Sequence, residues 1–324
     1  MIQLKHISKT YRVSKREAGT FAALKNLVHR NTETVHALRD ISFSVKPGEI
    51  VGYIGPNGAG KSSTIKIMSG ILVPDGGECL INGKTPWKDR KAHVKDIGVV
   101  FGQRSQLWWD IPVIDSYELF KAVYEIPDGT YKRNLVSLTE LLHLEELLKT
   151  PVRMLSLGQR MRCEIAASLL HNPAILFLDE PTIGLDAVSK IAVRDFIMRL
   201  NKEMKTTVIL TTHDMQDIEA LTKRVVLIGK GEILMDGHLS DLRQRYGRRK
   251  KIVVHYHEGH FTDTEGIHIL SNEHNHVISS VDTDLIKVNH AIEHLCKDAV
   301  ISDVAIQEAS VEEIISSLYR EYDI

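Results

Sequence analysis

The chain has 324 residues, ample for two domains, with 43% hydrophobic and 26% charged residues and a formal net charge of -1. That balance describes a soluble globular protein and argues against a general nucleic-acid binder, which usually carries a basic excess. No apolar run approaches the roughly 18–20 residues needed to span a bilayer, the N-terminus lacks a signal-peptide core, and Cys79, Cys163 and Cys296 form no CxxC pair, as suits a reducing, cytoplasmic setting.

In chain order, the first block is expected to run from Met1 to about Gly237 and to alternate short β-branched runs with amphipathic ones. A polar, basic stretch from about Val13 to Thr34 reads as an insertion between neighbouring strands, with at most a short helix near Phe21–Val28. The apolar runs Ile50–Ile54, Ala174–Leu178 and Thr207–Thr211 read as parallel strands covered on both faces, hence an α/β fold. Between them, residues 104–155 carry a helical pattern whose apolar stripe includes Leu138, Leu141, Leu142, Leu144, Leu147 and Leu148; this predicts an inserted helical subdomain.

The strand Ile50–Ile54 leads into Gly55, Pro56, Asn57, Gly58, Ala59, Gly60, Lys61 and Ser62, which match GxxxxGK[ST] between a predicted strand and a predicted helix. Glycines let backbone amides approach phosphate oxygens, and the following helix sets its positive end beneath them. Lys61 is expected to reach the β- and γ-phosphates, Ser62 to ligate Mg²⁺ and Ser63 to hold the α-phosphate. A chance glycine-rich turn is the alternative, and the strand, helix and Lys-Ser context weigh against it. A P-loop needs a second-strand carboxylate for the metal, and Asp179 ends the run Ile175–Leu178. Glu180, one step on, can polarise or deprotonate the attacking water.

Further along, a basic run from Arg243 to Lys251 reads as a solvated linker over 238–250 that can also meet anionic lipid headgroups. The last block, 251–324, opens with the strand-like Ile252–Tyr256 and ends on a helix starting at Ser310, where Ser310 and Glu313 form a capping box. It is expected to be a small α+β domain. His255 with His257, and His290 with His294, would share faces, but no cysteine or carboxylate frame supports a metal site there.

The residues Leu155-Ser156-Leu157-Gly158-Gln159 resemble the signature of ABC (ATP-binding cassette) proteins, LSGGQ in its usual form. Gln103 resembles the Q-loop glutamine, Gly184-Leu185-Asp186 the D-loop, His213 the switch histidine and Tyr11 the adenine-stacking aromatic. The order is that of the family across roughly residues 1–237, and Leu157 in place of glycine is the one departure. The resemblance is to ABC transporter ATP-binding subunits, and the aromatic run through Trp108 and Trp109 leans to the ABC-2-type export branch.

That resemblance implies a P-loop core with an antiparallel β subdomain and the inserted helical one. It implies ATP and Mg²⁺ as ligands, with Ser62, Gln103 and Asp179 at the metal and Lys61, Gln103, Glu180 and His213 catalytic. Two chains, alike or related, would pair head to tail. Each ATP would sit between one chain's P-loop and the other's Ser156 and Gly158, with Leu157 turned away from it, and Gln159 and Asp186 would also belong to the ATP-binding residues. The pair would serve a separate membrane permease from the inner face of the cell membrane, with Trp108 or Trp109 in the docking groove or else packing the helical subdomain. A soluble ABC ATPase acting on nucleic acid or ribosomes is the competing class. Only one cassette is present and no coiled coil splits it, so no nucleic-acid partner is expected. A GTPase would need NKxD, which Asn201-Lys202-Glu203-Met204 breaks.

Overall fold

The computed structural model describes residues 1–14, 32–102, 104–246, 249–297 and 299–322. They fall into two units, Met1–Asp236 and Gly237–Ile324. Most of the expected insertion and its short helix (15–31), together with Gln103, lie outside the described residues.

The first unit opens with β1 (Ile2–Ser14) and β2 (Thr32–Val45), which pair antiparallel out to Ser14↔Thr32. The two strands therefore reach further than the expected insertion limits of Val13 and Thr34. Strand β3 (Ile50–Ile54) and helix α1 (Lys61–Met68) flank the P-loop sequence, and β4 (Gly76–Ile81) pairs with β1 to complete a three-stranded antiparallel sheet. Then come α2 (Arg90–Val94), β5 (Ile97–Phe101), α3 (Val113–Val123), α4 (Asp128–Leu142) and α5 (Leu157–Leu169). Last are β6 (Ile175–Asp179), α6 (Ala187–Met204), β7 (Thr207–Thr211), α7 (Met215–Leu221), β8 (Arg224–Gly229) and β9 (Glu232–His238).

Strand order in the large sheet is β5-β6-β7-β3-β8-β9, and every pair from β5 through β8 is parallel. The buried runs of β6 and β7 explain this placement: Leu176, Phe177, Val208, Ile209 and Leu210 expose nothing, so both faces of these strands are covered. One core joins the two sheets. Ile2, Leu4, Ile7, Leu38 and Phe43 of the antiparallel sheet meet Ile65 and Met68 of α1 and Phe177 and Ile209 of the parallel one. Phe43 stacks on Tyr53 at 5.5 Å, and the buried Tyr53 hydroxyl is satisfied by Thr64 Oγ1 at 3.0 Å. Each such fully buried large side chain contributes on the order of 1.5–3 kcal/mol.

The helical segment expected to end at residue 155 continues structurally into α5. Tyr117 of α3 donates to the Cys163 carbonyl (2.9 Å), and Asn134 of α4 donates to the Leu170 carbonyl (2.8 Å). Among the described residues no helix is long and apolar enough to cross a membrane.

The second unit contains α8 (Leu239–Tyr246), β10 (Arg249–Gly259), β11 (Ile267–Glu273), β12 (His276–Asp282), α9 (Val288–Cys296), β13 (Ala299–Glu308) and α10 (Val311–Glu321). Its antiparallel sheet runs β11-β12-β10-β13, and Ile252, Val254, Val277, Val281, Ala291 and Leu295 form its core. The stretch read as a linker, 238–250, is corrected here: it holds α8 and the start of β10, because Leu239 and Leu242 lie one helical turn apart and are both buried. Ser310 caps α10 with the reciprocal Glu313 bonds that the sequence suggests. His255 and His276 stack at 5.7 Å, and among the described residues no three His, Cys, Asp or Glu side chains are grouped to hold a metal ion.

Candidate functional site

The carboxyl ends of the parallel strands converge on one cleft of 560 Å³, the position where α/β sheets commonly bind ligands. Pro56, Asn57, Gly58, Gly60, Lys61, Ser62, Ser63, Asp179, Glu180 and His213, all marked in the sequence, line it. Two expected loop members stand behind the lining. Ala59 is buried, and a Cβ at Gly55 would lie 2.3 Å from the Ile228 carbonyl.

The loop takes its shape from two glycines with positive φ, Gly58 at 83° and Gly60 at 112°. A Cβ at Gly60 would come within 2.6 Å of the Ala37 carbonyl, so a larger residue there is both strained and blocked. No side chain caps α1 at Gly60, which leaves its first-turn amides to face the cleft. Lys61 is only 8% exposed, and its Nζ donates to the carbonyls of Gly55 (2.5 Å) and Pro56 (3.2 Å). Burial lowers its pKa, while the negative charges of Glu180 and Asp179 oppose that shift.

On the facing side, Asp179 Oδ1 accepts from Thr211 Oγ1 at 2.5 Å, which fixes the carboxylate at the strand end. Glu180 sits at φ 58°, a left-handed backbone that costs about 1–3 kcal/mol for a non-glycine residue. Its amide is held by the Thr211 carbonyl at 2.9 Å. Beside it a Cβ at Gly102 would fall 2.0 Å from the Glu180 carbonyl, so only glycine permits β5 to end this close. Glu180 Oε2 lies 2.7 Å from His213 Nδ1, and since a carboxylate only accepts, Nδ1 carries the proton in this contact.

Beneath the pair lies a network that sequence reasoning missed. Asp217 is fully buried and accepts from Thr182 Oγ1, from Thr212 Oγ1 (3.2 Å) and from Arg194 Nε (2.5 Å). Thr182 follows Glu180 by two residues and Thr212 precedes His213, so one carboxylate ties both loops to α6. Lys190 of the same helix bonds Asp214 Oδ2 at 2.5 Å. The signal available in the sequence was a charged residue next to Ile218 on the apolar face of a short helix.

The remaining expected residues lie elsewhere. Tyr11 is outside the cleft lining, with its hydroxyl 3.3 Å from Ser63 Oγ and Lys9 Nζ 5.9 Å from its ring centroid. Ser156, Gly158, Gln159 and Asp186 do not line the cleft either. Exposed Ser156 is the N-cap of α5, in a capping box with Gln159 (3.2 and 2.9 Å). Gly158 is pressed against Ser189, whose Oγ would lie 2.3 Å from an added Cβ, and Ser189 in turn donates to Asp186 Oδ2 at 2.8 Å. These bonds from Ser189 hold the Asp186 carboxyl below its ordinary pKa. Leu157 reaches sideways, its Cδ2 lying 3.0 Å from where a Cβ would sit on Gly184.

Trp108 and Trp109 are 58% and 51% exposed, and the Arg160 guanidinium lies 5.7 Å from the Trp109 ring centroid. A second recess of 260 Å³ close by is lined by Arg90, Val99, Phe101, Arg104 and Tyr124 among others.

Residues 38–183 match the family described as ABC transporter. The chain is 31% identical over 210 residues to the "ABC transporter ATP-binding protein NatA" of Bacillus subtilis, covering 65% of this chain and 85% of that one. It is 34% identical over 203 residues to the "Nod factor export ATP-binding protein I" of Ralstonia nicotianae, with 62% of each covered. A solved dimeric ATP-binding cassette in a post-hydrolysis state, bound to ADP and phosphate, aligns with a TM-score of 0.61 at 27% identity. It covers 74% of this chain and 99% of its own.

Proposed function

The chain belongs to the ATP-binding proteins of the ABC transporter family and is an ATPase, and from that premise we propose that it drives a separately encoded ABC-2-like export permease by closing as a dimer on two ATP molecules. The observation that carries this reading is a division within one chain. The P-loop, Asp179, Glu180 and His213 share a cleft, while exposed Ser156 and Asp186, with Gly158 buried against Ser189 beside them, lie outside it. A second chain, paired head to tail, brings its exposed Ser156 to the phosphates, so that α1 and the partner's α5 point their positive ends at the same charge.

The chemistry follows from the cleft. Ser62 and Asp179 offer hard oxygen donors suited to Mg²⁺, which when bound would neutralise charge on the β- and γ-phosphate oxygens. Lys61 exchanges its two carbonyl contacts for phosphate oxygens. Glu180 orients a water and takes its proton as the water oxygen bonds the γ-phosphorus and the bond to the ADP oxygen breaks. Its other oxygen stays with His213 Nδ1, which holds the carboxylate in line. Loss of phosphate removes the charge that draws the two chains together, and the pair reopens. Gln103, which the resemblance implies as a metal ligand, is assigned that role in this proposal. Tyr11, next to Ser63, stacks on the adenine. Trp108 and Trp109, with the nearby recess, receive a cytoplasmic segment of the permease. The export direction is supported by the relative named for Nod factor export.

The test is affinity purification of the Glu180→Gln variant with ATP from detergent-solubilised membranes of the native host. The expected result is one co-purifying multi-span membrane protein, lost in a Trp108→Ala/Trp109→Ala variant. Recovery of ribosomes or nucleic acid instead would move the function to the soluble class.

A further inference from the structure

Helix α5 is buried from Cys163 to Leu169, and one residue in that apolar stretch is a carboxylate: Glu164, 3% exposed. Its charge is met mainly by hydrogen bonds from a single short segment. Ser105 Oγ donates to Oε1, the Gln106 amide donates to Oε2 at 3.1 Å, and the Leu107 amide reaches Oε1 at 3.5 Å. Gln106 Nε2 adds a bond to the Glu164 backbone carbonyl at 3.1 Å. The carboxylate thus closes on a turn of backbone some 58 residues away in the chain. Burial raises its pKa, and the bonds from Ser105, Gln106 and Leu107 work against that rise. An apolar residue would fill the same volume without desolvating an ion. What the acid adds is geometry, since a fully satisfied buried polar group specifies one arrangement of the elements it joins.

Those elements are functionally distinct. Helix α5 begins at Ser156, and residues 105–107 begin two positions after Gln103 and lead directly to the exposed Trp108 and Trp109. We propose that Glu164 is a positioning residue for ATP hydrolysis: it clasps the segment 105–107 to the helix that presents Ser156, so that both move as one body when two chains close on ATP. This rests on the reading that Ser156 completes the partner's site. Glu164 touches neither nucleotide nor water. It acts through the angle at which Ser156 arrives, and so belongs to the closing step rather than to ATP capture by Lys61 and Ser62.

The test uses Glu164→Gln, Ser105→Ala and their double variant in the full-length chain, with Ser156→Arg alongside. Glu164→Gln keeps the volume and sets an NH₂ group or a single carbonyl oxygen against donors that need two acceptors. Ser105→Ala removes one donor at an exposed position, so it reports on the clasp even if Glu164→Gln folds poorly. The expected result is a kcat lowered about tenfold in Glu164→Gln and roughly threefold in Ser105→Ala, the scale of one or two lost charge-assisted hydrogen bonds. KM and the Kd for a fluorescent ATP analogue stay as in the wild type, and the double variant is no slower than Glu164→Gln alone. A role confined to stability would lower the melting temperature and leave kcat per folded chain unchanged, and that result overturns the proposal. So does full additivity of the two substitutions. Wild-type turnover in Ser156→Arg would instead sink the underlying reading of a shared site, whatever Glu164 does.

Discussion

The P-loop cleft and the surface around Ser156 sit in one unit but are held together in opposite ways. In the cleft, the two carboxylates are fixed by residues far along the chain, Asp179 by Thr211 and Glu180 by Thr211 and His213, and the loops that carry Glu180 and His213 are tied to α6 through Asp217 and Arg194. On the surface around Ser156 the bonds are local. Ser156 and Gln159 hold each other across three residues, and Asp186 holds Ser189 across three. The cleft is therefore assembled by the fold, whereas the other surface is a helix start whose exposed serine has only its own cap. A surface of that kind is suited to meet a ligand brought by another molecule, and the cleft is suited to hold one.

This contrast can be broken at several points. The largest effect is expected at Glu180, where Glu180→Gln should cost roughly 10²–10⁴-fold in ATP turnover with ATP binding retained, as measured by steady-state hydrolysis and nucleotide titration. Asp217→Ala should destabilise the unit by about 3–5 kcal/mol in chemical denaturation, because it removes the acceptor of two threonine hydroxyls and of Arg194 Nε, leaving that guanidinium only Asp214 at 3.6 Å. Tyr11→Ala should weaken ATP binding by about 1–3 kcal/mol with kcat at saturation little changed; unaltered affinity would remove the ring from the adenine. Ser156→Ala should cost only about 1 kcal/mol of stability, the value of one N-cap, while lowering turnover by far more than that loss of folded protein explains. Equal effects on stability from Asp217→Ala and Ser156→Ala would erase the distinction drawn between the two regions.

The same contrast sets what could be read from the sequence. The loop 55–62, the strand runs ending at Asp179 and near His213, and the capping box at Ser310 are local patterns, and each occupies the kind of element its pattern implies. Gly102, Thr211 and Arg194 gain their meaning only from neighbours brought in by folding, so the sequence gives no sign of them. Glu164 and Asp217 did leave a trace, as acids set among apolar residues in their helices. The misread linker has the converse cause. Its charge run, Arg243 to Lys251, masked Leu239 and Leu242, and two buried leucines one turn apart were enough to anchor a helix.

The most direct measurement of the shared-site account mixes two inactive variants. Glu180→Gln and Ser156→Arg chains, each carrying a different tag, are co-purified as heterodimers and their ATP turnover is compared with that of either homodimer. If each site takes its P-loop and glutamate from one chain and its signature from the other, one of the two sites in the heterodimer is intact. Turnover should then rise by roughly an order of magnitude over both homodimers. If the signature serves the cleft of its own chain, each chain still carries its own lesion, and the verified heterodimer would be as inactive as its parents.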